Sequence, residues 1–506
     1  MKQRKGIGFI VLLTLLALLA SPCPASAVPP DFSGGVADEY NYQEMVFLSG
    51  QPLEFVGTIK VSEKAKADTS TATYNFTLTP KDSTITGKLT RKVSYLTTYD
   101  RQTNIGQTLS STKVSNYSES VTISGDKYDL KDFQFSKSDA IDNRPASDYY
   151  NGNIQGRKTF TINKTQGTAV VDFNGGDVGF TNFWGNTETQ IIDYNFNVQR
   201  TIPAAKGKTT GTDASWQGSA KVTVSDSLNK SLQYSDNQAS LSSFTGSYTR
   251  VTREDMSSQY SYDLPVMNEK IPDDTERNQS DSALSLEKVP KVEKMIIPKF
   301  RDVGGHWAES SINQLYSLGV FEGSQQFFAP DASMTRLEFI RALVKACDIR
   351  ANQSVTQKTS TASKKASALV SPFSDVPGTD PDYQYVKAAV DKGLASGESD
   401  YYFGADSALT RAQAVTMIIK ALGFEDRAPT PGYSMSFADD DDIPDWARDS
   451  IYVAQANGLI SGDDGRRINP NQDMTRAEAS TMLVRFLNFL QSDLQKDYRE
   501  NILLYS

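Results

Sequence analysis

Histidine and cysteine are the scarcest chemistry-bearing residues of this 506-residue chain. The sequence holds one His, His306, and two Cys, Cys23 and Cys347. So few ligands exclude a His-rich metal site and a Cys-bound zinc, and we predict no metal, no cofactor and no catalytic residue. A Cys–His or Ser–His nucleophile pair would have to use His306, whereas carboxylate-only catalysis stays open.

Clustered positive charge is also missing. The net charge is −9 and the chain has no basic tract, which argues against sequence-independent binding to nucleic acid. Apolar runs are short everywhere except at the N-terminus, where 7–20 follows three basic residues and precedes small residues up to Ala27. This order predicts a cleaved secretory signal peptide over 1–27 and a mature chain without a transmembrane span.

The rest of the sequence consists of two regions that differ in composition and pattern. Residues 28–265 are rich in Thr, Ser, Tyr, Asn and Gly, and many short runs, such as 54–61 and 190–198, alternate apolar with polar residues. Such alternation indicates half-buried strands, so we predict an antiparallel all-β domain, either a sandwich or a barrel. The polar, proline-containing stretch 266–299 is predicted to be a linker.

The second region contains a threefold internal repeat. Gly319, Gly393 and Gly458 each follow a helical pattern, and Thr335, Thr410 and Thr475 each begin another. The Gly indicates a left-handed helix stop, and Glu or Gln three residues after each Thr indicates a capping box. The predicted segments are the repeats 300–349, 373–424 and 437–490, a Ser/Thr/Lys-rich loop at 350–372 and a tail at 491–506.

An Arg stands at the first helical position after each Thr, where the helix dipole disfavours a cation. These residues are Arg336, Arg411 and Arg476. One explanation is an anion ligand held by the Arg beside free backbone N–H groups. The other is a brace within the unit to the Asp of the opening Phe-x-Asp, namely Asp302, Asp375 or Asp439.

The segments FRDVGGHWAESSINQLYSLGV with MTRLEF, FSDV with LTRAQA, and FADDDDIPDWARDSIYVAQANGLI with MTRAEA resemble S-layer homology repeats. The resemblance covers about 300–490 and implies an all-α, pseudo-threefold assembly that binds secondary cell-wall polysaccharide in its grooves, often through a pyruvylated sugar. It implies ligand roles for the three Arg, for the three Asp, and for Trp307 and Trp446. Either Trp could instead be a core residue.

Repeat two departs from the family pattern. Pro381 stands where the other repeats have Trp, and Gln413 replaces the capping Glu. These changes predict a groove that is weaker or purely structural. The Asp run 439–442 lacks the spacing of a calcium loop, so a solvated acidic loop is the preferred interpretation.

Together these features predict a secreted protein of the cell wall or S-layer, anchored non-covalently through its repeats, with the β domain as a structural module. Other S-layer subunits are candidate partners. Two alternatives for the β domain stay open: an anchored carbohydrate hydrolase, and a carbohydrate-binding or adhesive module.

Overall fold

The computed structural model describes six stretches of the chain: 32–204, 211–235, 247–297, 299–321, 326–349 and 370–494. The predicted signal peptide therefore lies outside the described residues, as do most of the 350–372 loop and most of the tail at 491–506.

The first part of the described chain is built from fifteen strands in one antiparallel sheet. They are β1 (Val36–Ala37), β2 (Asn41–Val46), β3 (Leu53–Ala65), β4 (Thr69–Pro80), β5 (Gly87–Gln102), β6 (Gln107–Ile123), β7 (Asp126–Asn143), β8 (Ser147–Ile162), β9 (Gly167–Asn182), β10 (Gly185–Ile202), β11 (Thr212–Asp213), β12 (Trp216–Ser235), β13 (Ser247–Asn268), β14 (Ile271–Glu287) and β15 (Lys291–Lys294).

Each main strand pairs with the next along the chain, so the sheet is an up-and-down meander. The strand pattern follows from the predicted alternation: in β10, Ile192, Tyr194, Phe196 and Val198 are buried, while the residues between them are exposed. The prediction of an antiparallel all-β domain is confirmed. The structure also decides between the two predicted forms, because one sheet curls into a half-barrel with its core on the concave face.

The N-terminal segment ahead of β1 lies in that concave face. The Phe32 ring stacks on Phe135 with centroids 4.5 Å apart, and the Tyr194 hydroxyl donates to the Phe32 carbonyl. The Tyr260 hydroxyl donates to the Gly34 carbonyl. The segment 32–34 thereby contacts β7, β10 and β13, which are distant from one another in the sheet.

The linker predicted for 266–299 is wrong over most of its length. Residues 271–287 form β14, which pairs along β13, and 291–294 form β15, which pairs with the other end of β13. β14 is a peripheral strand whose main buried side chain is Leu284, so it carries little of the apolar alternation by which strands are recognised. Pro272 sits near its start, where a peripheral strand tolerates proline.

The second part of the described chain contains six α-helices, two in each repeat. They are α1 (Glu309–Ser317), α2 (Arg336–Ala346), α3 (Tyr383–Asp391), α4 (Arg411–Leu422), α5 (Asp445–Ala456) and α6 (Arg476–Asn488). The three anchor glycines that follow α1, α3 and α5 have φ values of 71°, 71° and 68°, which confirms the left-handed stops. Complete capping boxes begin α2, α4 and α6, as predicted.

The helices are exchanged between neighbouring repeats in a closed ring. α2 packs on α3, α4 on α5, and α6 on α1, so each prong combines the second helix of one repeat with the first helix of the next. At the centre, backbone bridges join Ser333 to Thr475, Thr335 to Ala408, and Thr410 to Asp473. These bridges link all three repeats pairwise and give the pseudo-threefold arrangement that the resemblance implied.

The sheet packs against the C-terminal ends of the second helices. Trp184 Nε1 donates to the Ala346 carbonyl at the end of α2 (2.9 Å), and the Ala146 N–H donates to the Ala421 carbonyl near the end of α4 (2.9 Å). The Asn229 side-chain amide donates to the Gln491 carbonyl, just beyond α6. These donors satisfy carbonyl groups that helix ends leave without intrahelical partners.

This docking orients the helices. α2 is 11 residues long, which places its N-terminus about 16 Å from the end that contacts the sheet. The Arg-bearing starts of α2, α4 and α6 therefore lie at the far side of the helical domain, away from the sheet.

Candidate functional site

The three Asp that open the repeats hold loop backbone. Asp302 accepts from the N–H groups of Phe328 (2.9 Å) and Ala329 (2.7 Å), and Asp375 accepts from three consecutive N–H groups beginning at Phe403. Asp439 accepts from Ile468 and the following residue in the same way. Burial opposes ionisation, but the backbone donors outweigh it and hold the pKa of Asp302 and of Asp375 below the usual range.

The clamped loops are tightly turned, since the residue after each Phe or Ile has a positive φ. These residues are Ala329 (56°), Gly404 (78°) and Asn469 (51°). Each of these loops in turn covers the start of the second helix of the preceding repeat in the ring. The Asp positions thus shape the candidate site by fixing its backbone.

The helix starts differ from expectation, because their first N–H groups are already occupied. The Arg336 N–H donates to the Ser407 carbonyl (3.0 Å) and the Leu337 N–H to the Ala405 carbonyl (3.1 Å). The equivalent groups of α4 and α6 donate to the loops of repeats three and one. An anion at this site would therefore have to be recognised by the guanidinium groups, and the predicted free N–H cradle is wrong.

Two of the three guanidinium groups form ion pairs between repeats. Arg411 Nη1 lies 3.7 Å from Glu478 Oε1, and Arg476 Nη1 contacts Glu338 Oε1. The expected brace to the Asp of the same unit is wrong in its partner: the acceptor is the capping-box Glu of the next repeat in the ring. Arg476 also lies over the Phe328 ring, 4.6 Å from its centroid.

Arg336 occupies the equivalent place between repeats one and two but has a different environment. The position that would supply its carboxylate is Gln413, whose Oε1 accepts from the Thr410 N–H within the capping box. Arg336 Nη2 instead donates to the Ser396 carbonyl (2.5 Å), and its guanidinium carbon lies 5.1 Å from the centroid of Phe403. Burial lowers the pKa of Arg336, which is 7% exposed.

The aromatic candidates are solvent-facing. Trp307 is 65% exposed and Trp446 is 58% exposed, so neither is a core residue. Repeat two lacks that Trp but exposes Tyr401 (74%) and Tyr402 (44%), which sequence reasoning missed. Their position in the sequence could have identified them as candidates, because they directly precede Phe403, a marker residue of the repeat.

The single His and the Cys of the described chain both occupy structural positions. His306 Nδ1 accepts from the Ala308 N–H (3.1 Å) just before α1, which fits the expected loop role. Cys347 is buried in the helical core, where burial raises the pKa of its thiol. In the acidic loop, Asp440 pairs with Arg448 (2.7 Å). Across the described residues, no group of three or more His, Cys, Asp or Glu is arranged to hold a metal ion.

The concave face of the sheet contains a buried charge network that the sequence did not reveal. Arg91 forms two 2.8 Å bonds with Glu44 and a 2.9 Å bond with Glu119, which also accepts from Lys158. Although burial alone would raise it, Arg91 and Lys158 lower the pKa of Glu119 to about 2. In the sequence, these charged residues occupy strand positions that alternate in step with the inward-facing apolar residues, and this pattern could have indicated the network.

A second polar cluster lies further along the same face. Lys137 pairs with Asp139 (2.5 Å) and Asp177 (2.7 Å), and both carboxylates fold over Gly152, which has no side chain to separate them. On β12, burial and the nearby Glu254 and Glu188 raise the pKa of Asp226 to about 8.

The repeats match a known domain. The S-layer homology domain model matches residues 299–340, 372–415 and 436–480, so the chain carries three S-layer homology repeats. Among the described helices, none combines the length and apolarity needed to cross a bilayer.

Relatives share this region with the chain. A surface-layer 125 kDa protein of Lysinibacillus sphaericus is 25% identical over 201 residues, which is 39% of this chain and 15% of that protein. A surface layer protein of Brevibacillus choshinensis is 33% identical over 97 residues, covering 19% and 9% of the two chains. An endoglucanase of Bacillus sp. (strain KSM-635) is 29% identical over 135 residues, covering 26% and 14%.

These alignments span less than a fifth of the length of each relative. The similarity to enzymes lies in the S-layer homology region. The repeats together with the surface proteins that share them indicate a secreted protein associated with the cell wall, as predicted.

Proposed function

We propose that the helical repeats attach this protein non-covalently to an anionic, pyruvylated secondary cell-wall polysaccharide, and that the half-barrel serves as a surface or S-layer module. The observation that carries the proposal is the set of guanidinium groups at the three junctions between repeats. They lie at helix ends remote from the sheet.

The chemistry of the site fits such a ligand. A planar guanidinium can bind a pyruvyl carboxylate through two parallel hydrogen bonds, and an exposed Trp offers a flat face to the apolar side of a sugar ring. The chain as a whole carries a net charge of −9 and repels an anionic polymer. Attraction must therefore be local, which agrees with recognition by a few positioned Arg residues.

The proposed structural role of the sheet draws support from its docking. The sheet contacts the far ends of the same helices that present the Arg residues, so load on the sheet passes directly into the anchoring domain. Assembly with other subunits of the surface layer is part of this proposal.

Co-sedimentation of the full-length mature protein with cell walls tests the anchoring. We expect the protein to pellet with intact walls and to stay in solution with walls from which the polysaccharide has been extracted. A variant combining Arg336→Ala, Arg411→Ala and Arg476→Ala should lose binding, with circular dichroism confirming that it is folded. Equal binding to intact and extracted walls would contradict the proposal.

A carbohydrate-binding role for the sheet is a second candidate, favoured by one observation. The outer face of β10, β12, β13 and β14 holds a shallow groove of about 600 Å³. Asp193, Lys221, Ser261 and Asp281 lie side by side across it in register. Binding of soluble wall glycans that is lost on combining Asp193→Ala and Asp281→Ala, and kept in the triple Arg variant, would establish this role.

An anchored hydrolase is less well supported by the carboxylates. Asp139 and Asp177 approach one another closely enough to share Lys137, but the Asp177 side chain is fully buried. A glycosidase needs its two carboxyl groups to flank a bound sugar in an accessible cleft. The two acids are therefore better explained as a buried ion cluster.

A further inference from the structure

We infer that the junction between repeats one and two is the principal anion-binding site of this chain, because Gln413 leaves the Arg336 guanidinium without a competing carboxylate. The inference rests on the proposed function and specifies which of the three candidate sites binds the polysaccharide most tightly. It reverses the expectation from sequence, in which the substitutions of repeat two predicted a groove that is weaker or purely structural.

The three junctions share the same backbone contacts at their helix starts and differ in charge. At the second junction Arg411 faces Glu478, and at the third Arg476 faces Glu338. At the first junction the same capping-box position is the neutral Gln413, and Arg336 forms no ion pair with any described residue. Position 413 is therefore the point at which one junction departs from the other two.

The first junction holds a buried cation, Arg336, whose direct contacts among the described residues are neutral. Arg336 is 7% exposed, and its Nε, like the Nε of Arg411 and of Arg476, has no hydrogen-bond partner among the described residues. Its contacts are the Ser396 carbonyl and the Phe403 ring. Glu398 is close enough to act on Arg336 through space, yet it does not pair with it; its carboxylate accepts from the Ser407 hydroxyl instead.

A buried guanidinium that no carboxylate contacts directly is energetically unfavourable, and a ligand carboxylate that binds it supplies the missing charge. At the other two junctions an incoming carboxylate must first displace the Glu already paired there. An acidic sugar therefore gains more at Arg336 than at Arg411 or Arg476.

The same junction offers aromatic surface. Tyr401 and Tyr402 lie in the loop between Ser396 and Phe403, the two residues that contact Arg336, and both are exposed. They are suited to packing against a sugar ring, as the exposed Trp residues of the other repeats are. Repeat two thus retains an aromatic face although Pro381 replaces its Trp.

The decisive variant is Gln413→Glu in the full-length mature protein. Glu at this position keeps the capping box, as Glu338 and Glu478 do in α2 and α6, and would pair with Arg336 as they pair with their Arg. Calorimetric titration with purified wall polysaccharide should show an affinity about tenfold or more below that of the original chain. The midpoint of thermal unfolding should not fall.

Two controls separate charge from folding. Gln413→Ala removes the Gln413 half of the capping box, leaves the Thr410 cap in place and adds no carboxylate, so it should lower thermal stability slightly while binding stays within about twofold. Glu478→Gln frees Arg411 in the way that Gln413 frees Arg336, and should increase affinity or the number of sites. The same polymer with its pyruvate ketals hydrolysed should bind weakly to every variant.

The outcomes distinguish this inference from the proposed function. If Gln413→Glu binds like the original chain while the triple Arg variant has lost binding, the first junction is not the principal site and the anchoring function stands. If the triple Arg variant binds like the original chain, the proposed function itself is overturned. An unchanged titration of Glu478→Gln would contradict the role of the capping Glu as a competitor.

Discussion

The indole Nε1 of Trp184 donates a 2.9 Å hydrogen bond to the carbonyl oxygen of Ala346, across the boundary between the sheet and the helices. Trp184 is 1% exposed and belongs to the same apolar cluster as the helical core. One side chain of the sheet thus fills the helical core and caps the end of α2. Sheet and repeats are therefore expected to unfold together.

Substitution of Trp184 tests this coupling. Trp184→Ala creates a cavity and should lower the free energy of unfolding by about 3–5 kcal/mol, whereas Trp184→Phe loses the hydrogen bond and only part of the ring volume and should cost less, about 1–3 kcal/mol. Urea denaturation followed by circular dichroism measures both. The exposed Trp307→Ala is the matched control, expected to change stability by less than about 0.5 kcal/mol. Unchanged midpoints for Trp184→Ala would show that the boundary contributes nothing.

The buried Asp226 should make the protein less stable as pH rises. Its pKa is raised to about 8 in the folded chain, so between about pH 4 and pH 8 the unfolded chain loses a proton that the folded chain keeps. Stability should fall across this window by up to about 1.4 kcal/mol per pH unit, and then level off. The raised pKa of Asp177 acts in the same direction.

Asp226→Asn removes this titration and should flatten the dependence of the unfolding free energy on pH between 4 and 8. The exposed Asp193→Asn on neighbouring β10 serves as control and should leave the slope unchanged. If the slope of Asp226→Asn equalled that of the original chain, Asp226 would not be the titrating group.

The network of Glu44, Arg91, Glu119 and Lys158 predicts a large penalty for losing one partner. Arg91→Met leaves two carboxylates buried with one Lys, and should lower the free energy of unfolding at pH 7 by about 3–5 kcal/mol. Arg157→Met is the matched control, because Arg157 pairs with Asp172 in solvent, where losing an ion pair changes stability little. Equal effects of the two substitutions would contradict the network's importance.

Glu119 adds an acid dependence of opposite sign. Its pKa is lowered to about 2 in the folded chain, so its stabilising contribution is present above about pH 4.5 and is lost as pH falls toward 2. Glu119→Gln should therefore destabilise the protein at pH 7 and make its stability less dependent on pH in this acidic range. Acid titration of the unfolding midpoint measures the effect.

Asp375 distinguishes a loop clamp from a ligand-binding group. Asp375→Asn weakens the bonds from three backbone N–H groups and should lower the free energy of unfolding by about 1–3 kcal/mol. Folded protein should still bind wall polysaccharide within about threefold of the original affinity, since the carboxylate acts on the loop. The exposed Asp400→Asn in the same repeat should change neither quantity. A large loss of affinity without loss of stability would assign Asp375 to the ligand instead.

Local rules in the sequence accounted for much of this protein. Period-two alternation predicted the strands, and Thr with Glu or Gln three residues later predicted the three helix starts. The three glycine stops followed from the same kind of information. Each of these features depends on interactions within one turn or one strand, so a single sequence can reveal them.

The linker prediction over 266–299 was wrong because the strand that forms there depends on a partner strand and not on its own local pattern. A peripheral strand such as β14 forms because β13 supplies its hydrogen-bond partners, and it buries little of its own surface. Its sequence therefore lacks the apolar alternation that reports burial.

Tertiary structure alone decided what the Arg residues contact. The sequence placed Arg336, Arg411 and Arg476 at helix starts, but the ring exchange of helices brings a neighbouring repeat's capping position to each guanidinium. Only in that arrangement does the neutral Gln413 explain why Arg336 forms no ion pair within the described part of the chain. The docking of Trp184 on Ala346 and the burial of Asp226 belong to the same class. Each depends on which distant segments meet, which no local pattern records.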